Sequence, residues 1–150
     1  MGLLNYTTKI SVESSINEIR AILVAAGATA IMDEYDGARN ITALSFKAPT
    51  QFGVVAFRLP IDVAAATLVL NKQATMRKIP KRYLNDTEQA RRIGWRIMKD
   101  WLLAQLAIIE MGMVKLEQIF LPYAQNAHGE TVYEYMAGTR FKDLALEDRK

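Results

Sequence analysis

The sequence predicts an α+β domain: an antiparallel sheet with one helix, followed by a helical half organised on one long helix. Three observations carry that expectation. Short β-rich runs separated by turn residues crowd the first 60 positions. Helix start and stop signals bracket residues 85–112. The composition, 51% hydrophobic and 23% charged, is that of an ordinary globular chain. A length of 150 residues fits a single domain, with a β-α-β-β-β part over 1–60, a helical part over 61–125 and a loop and tail over 126–150.

Taken in order, residues 6–12 are rich in Thr, Ile and Val and read as a first strand ended by Glu13 and Ser14. Ser15 with Glu18 matches a capping box, Ile16, Ile19, Ile22, Leu23 and Ala26 form an apolar stripe, and Gly27 stops this helix. Three extended runs follow at 30–35, 41–47 and 54–59, separated by turn chemistry at 36–40 and 48–53. Pro60 suits the first turn of a helix over 61–71. A basic connector spans 75–84, interrupted by Pro80. Asn85 and Asp86, with Glu88 and Gln89 as capping partners, open the longest helix, which runs to about Met111 before Gly112. A short helix is expected over 114–123, then a loop at 126–129 and a segment at 131–136 that sets Val132 beside two tyrosines. The last dozen residues read as a charged, frayed tail.

The positive charge is concentrated. Residues 77–99 hold Arg77, Lys78, Lys81, Arg82, Arg91, Arg92, Arg96 and Lys99 against only Asp86 and Glu88, a local charge of +6 in a chain of net +3. Such a tract serves as a solvated face, as a track for nucleic-acid phosphates with Tyr83 or Trp95 stacking on bases, or as the lining of a pocket for a small phosphorylated ligand. The candidate ligand-binding set is Arg77, Lys78, Lys81, Arg82, Tyr83, Arg92, Trp95, Arg96 and Lys99, with Arg92, Arg96 and Lys99 sharing one helix face. From Trp101 to Met111 only Gln105 and Glu110 are polar, so this half of the helix is expected in the core or against another subunit, with Trp101, Leu102, Leu106 and Ile109 as interface candidates.

No catalytic residue, metal site or cofactor is expected. His128 is the sole histidine and lies in a turn beside Gly129. Asp33, Glu34 and Asp36 precede Gly37 without the alternating twelve-residue pattern of a calcium loop. No nucleophile elbow, Walker or dinucleotide glycine pattern is present. The absence of cysteine, of a secretory leader and of any apolar run of membrane-spanning length leads to the expectation of a cytoplasmic protein.

The stretch Arg92-Ile93-Gly94-Trp95-Arg96-Ile97-Met98-Lys99-Asp100-Trp101, with Gln105, Ile109-Glu110, Phe120-Leu121-Pro122-Tyr123 and Thr131-Val132-Tyr133-Glu134, resembles a group of small phage and prophage proteins of uncharacterised function. Asn5-Tyr6-Thr7-Thr8-Lys9-Ile10, Ala43-Leu44-Ser45-Phe46 and Phe57-Arg58-Leu59-Pro60 extend the resemblance over most of the chain. The resemblance implies a viral accessory role in the cytoplasm of an infected or lysogenic bacterium and supplies no active-site residues. With the basic tract, it leads to the expectation of a non-enzymatic homo-oligomer that sequesters a phosphate-bearing nucleotide signal of host defence. The alternatives are a single-stranded nucleic-acid-binding protein of replication or recombination, and an oligomeric module that blocks a host effector.

Overall fold

Ser11 opens the first helix: its side-chain oxygen accepts the Ser14 N–H at 3.1 Å, and α1 (Val12–Ala25) buries Ile16, Ile19 and Leu23 along one face. The chain leaves α1 through Gly27, whose φ of 106° suits only a residue without a Cβ. It then forms a meander of β1 (Ala30–Tyr35), β2 (Ile41–Thr50) and β3 (Gly53–Arg58), antiparallel in the order β1-β2-β3. The remaining helices are α2 (Val63–Thr75), α3 (Thr87–Glu110), α4 (Leu116–Phe120) and α5 (Val132–Gly138), with 3₁₀ turns at Lys81–Tyr83 and Leu121–Tyr123. The computed structural model describes residues 1–139, 141–144 and 146.

The central strand positions everything else. Leu44, Phe46 and Ala48 point to one side of β2, where Phe46 stacks on Phe57 at 5.2 Å and Phe120 meets both rings edge-on. On this face α1 contributes Ile16, Ile19 and Leu23, and α3 contributes Trp95, Met98 and Leu102. On its far side α3 presents Ala90 and Ile93 to a second cluster with Leu70 and Ala74 of α2, Ile79 and Tyr83. The first half of α3 is therefore held between two cores. Among the described residues no helix is long and apolar enough to cross a membrane.

The α+β class and the long helix stand as expected, with Asp86 capping α3 through the Gln89 N–H (3.0 Å) and Gly112 at φ 75° beyond its end. The predicted first strand is not formed. Residues 6–12 make a turn and an irregular segment, and Val12 already belongs to α1. The carbonyls of Tyr6 and Thr8 accept from the Gln89 side chain at 2.8 and 2.9 Å, while Leu3 and Tyr6 pack on the second cluster. A helix side chain takes the place of a neighbouring strand, so the N-terminal order is α-β-β-β.

Ser15, expected as the cap of α1, lies a turn inside it and is fully buried. Helix α2 begins at Val63, capped by Asp62 rather than led by Pro60, and continues to Thr75. The region expected as loop and tail holds α5, for which Thr131 and Glu134 build a capping box. The predicted tail falls partly outside the described residues; within them Phe141 packs against the Tyr133 ring at 5.9 Å.

Candidate functional site

The basic connector between α2 and α3 is shaped by two anchors. Ile79 and Tyr83 are buried in the second cluster, and the Tyr6 ring meets Tyr83 edge-on at 5.6 Å. With those two side chains turned inward, the four cations between and beside them, Arg77, Lys78, Lys81 and Arg82, are left exposed. Arg77 adopts φ 60° and its N–H donates to the Ala74 carbonyl at 3.2 Å, which reverses the chain directly after α2. The Arg82 guanidinium lies 4.9 Å over the Tyr83 ring and donates to its hydroxyl at 3.2 Å.

None of these four side chains forms an ion pair among the described residues. The cations of α3 differ in this respect. Arg91 and Arg92 share the Glu88 carboxylate at 3.9 and 3.7 Å, and Arg92 also donates to the Gln89 side-chain carbonyl at 2.8 Å. Lys99 lies 3.4 Å from the carboxylate of its neighbour Asp100, which also accepts from Asn5. Arg96 is buried, with Glu18 at 2.5 Å and the Ser15 hydroxyl at 3.3 Å. The tract that is continuous in sequence is two populations in space: a connector quartet carrying +4 with no ion pair among the described residues, and four helix cations that share the carboxylates of Glu88, Glu18 and Asp100.

Two aromatic side chains expected as stacking platforms are withdrawn from solvent. Trp95 is 0% exposed, in the core between α3 and the sheet, and Tyr83 is 8% exposed beneath Arg82. The sequence signal for Trp95 is its spacing with Met98 and Leu102 at i, i+3 and i+7, a second apolar stripe beside the one through Ala90, Ile93 and Ile97. The expected common polar face of Arg92, Arg96 and Lys99 is corrected by the same burial, because α1 covers Arg96.

The interface candidates are buried or half-buried within the chain. Leu102 is buried, Trp101 meets Phe120 and Tyr123 edge-on at 5.8 Å, Ile109 packs against the first cluster and Leu106 is half-buried. The apolar end of α3 instead exposes Leu103 and Met111, with Met113 just beyond. No protein-family model, curated protein or solved structure matches the chain.

Proposed function

We propose that this chain is a non-enzymatic protein that binds a phosphate backbone across the connector formed by Arg77, Lys78, Lys81 and Arg82. The observation that carries this proposal is the set of four exposed cations with no carboxylate partner among the described residues. Between the two ligand classes considered from sequence, single-stranded nucleic acid suits the connector better than a lone nucleotide. The concavity there is shallow, walled only by residues 77–81, and a polymer brings several phosphates to four separate charges at once. With Tyr83 and Trp95 withdrawn, contact rests on the backbone, and affinity depends little on base sequence. In the phage setting that the sequence resemblance implies, this is a role in handling single strands during replication or recombination.

Titration with fluorescent oligonucleotides at several salt concentrations tests this directly. Neutralising four phosphates gives a slope of log K against log salt of about −3, since each phosphate on a single strand contributes about −0.7. The variant Arg77→Gly with Lys78→Ala, Lys81→Ala and Arg82→Ala removes the charges while respecting the positive φ at 77, and it should abolish binding with little change in melting temperature. Undetectable binding by the unmodified protein, or a slope near zero, overturns the proposal.

Self-association forms part of the same proposal. Leu103, Met111 and Met113, on the second half of α3 and just beyond it, are 47%, 69% and 65% exposed. Light scattering should give a multiple of 16.9 kDa, reduced to the single-chain mass by Leu103→Glu with Met111→Glu. A single-chain mass for the unmodified protein at all concentrations removes this element.

A further inference from the structure

Apart from the basic connector, a cleft of about 480 Å³ opens where α1 passes the β1–β2 hairpin and the first turn of α3. Three arginines from three elements line it: Arg20 of α1, Arg39 of the hairpin turn and Arg91 of α3. Their charges are unequally committed. Arg20 is ion-paired with Asp33, whose carboxylate also accepts from the Tyr35 hydroxyl at 3.1 Å. Arg91 shares Glu88 with Arg92, and its charge also acts on the Asp36 carboxylate. Arg39 forms no ion pair among the described residues.

The position of Arg39 is built into the turn. The Asp36 carboxylate accepts from the N–H groups of Ala38 and Asn40, both at 2.9 Å, and Arg39 between them takes φ 65°. The lining also holds apolar side chains, with Ile16 and Ile41 buried and Val12 half-buried, beside Ser11, Asn17 and Asn40. Glu13 adds an acceptor to the lining. An arginine without an ion-pair partner among the described residues, apolar side chains and carboxylate acceptors at Glu13 and Glu88, in a space within the usual small-molecule range, are the recognition elements of an organic anion rather than of a bare ion.

The geometry points to this cleft as a binding site for a small organic phosphate of nucleoside-monophosphate size. The phosphate is held by Arg39 and Arg91, the flat body lies along Ile16 and Ile41, and ligand hydroxyls donate to Glu13. The site shares no residue with the connector and stands or falls independently of it.

Calorimetric titration of the full chain with 5′-AMP, adenosine and inorganic phosphate at constant salt tests the site. One 5′-AMP is expected per chain, with adenosine and inorganic phosphate each weaker by about tenfold or more, because each lacks one half of the recognition. Arg39→Gly, which suits the left-handed backbone, and Arg91→Ala should each weaken 5′-AMP by about tenfold or more through a lost charged contact. The connector variant should retain 5′-AMP binding while losing oligonucleotides, so the two sites fail separately. Adenosine binding as tightly as 5′-AMP, no saturable binding up to millimolar 5′-AMP, or unchanged affinity in Arg39→Gly overturns the assignment.

Discussion

Trp95→Ala should lower the unfolding free energy by about 3–5 kcal/mol, the loss expected when a large aromatic is removed from a packed interior. Trp95 is among the largest fully buried side chains, in one cluster with Phe46 and Phe57 of the sheet and with Met98 and Leu102 of its own helix. Its truncation leaves a void lined by both layers, and close-packed interiors refill such voids only partly. For a domain whose total stability is about 5–15 kcal/mol, this is a large share. Trp95→Phe should be far milder, because it keeps most of the volume and removes an indole N–H with no hydrogen-bond partner among the described residues. Chemical denaturation of both variants checks this. A Trp95→Ala protein with unchanged midpoint but lost ligand binding would contradict the core assignment and return the residue to a binding role.

Arg96→Glu should be nearly as damaging, with a cost of about 3–5 kcal/mol for an uncompensated charge in a buried position. The Arg96 side chain is 9% exposed, against 47% for its partner Glu18, so the arginine is the desolvated half of the pair. Charge reversal places a carboxylate there beside a second carboxylate. Arg96→Met should be tolerated within about 1 kcal/mol, since an apolar side chain fills the site and Glu18 can be hydrated. Wild-type stability in Arg96→Glu would refute the burial argument.

The same pair predicts a pH dependence. The hydrogen bond from Arg96, reinforced by its charge, holds the Glu18 carboxyl below its ordinary value of 4.5 against a smaller opposing effect of burial. A carboxyl with a depressed folded-state value contributes its stability above the unfolded value and loses it as pH falls through the folded one. Stability should therefore decline below about pH 4.5, and Glu18→Gln should flatten that part of the profile in acid-denaturation measurements.

These two side chains also mark where sequence reading stops. The boundaries of α3 were legible because they depend on groups a few residues apart: Asp86 caps the N–H of Gln89, and Gly112 takes the left-handed turn. The three strands of the sheet were legible for the same reason, since turn residues at 36–40 and 48–53 interrupt β-rich runs, although β2 continues through Ala48, Pro49 and Thr50 and leaves only Gln51 and Phe52 to the turn. Residues 6–12 have the composition of a strand, yet the carbonyls of Tyr6 and Thr8 are taken by Gln89, more than 75 positions away along the chain, and no local signal announces that.

The basic tract follows the same division. Its charge is a property of the sequence, whereas the packing of Ile79 and Tyr83 against α2, α3 and Tyr6 leaves Arg77, Lys78, Lys81 and Arg82 exposed. Only the packing of α1 against α3 decides that Arg96 is spent on Glu18, and only the sheet decides that Trp95 is core rather than platform. The cleft of Arg20, Arg39 and Arg91 has no sequence signature, because its three arginines lie far apart in the chain and meet through the fold. The sequence by itself determined the three strands of the sheet, the ends of α3 and the amount of charge, all of which depend on near neighbours. The tertiary structure alone decided which charges remain free, because burial and ion pairing depend on partners brought close by packing.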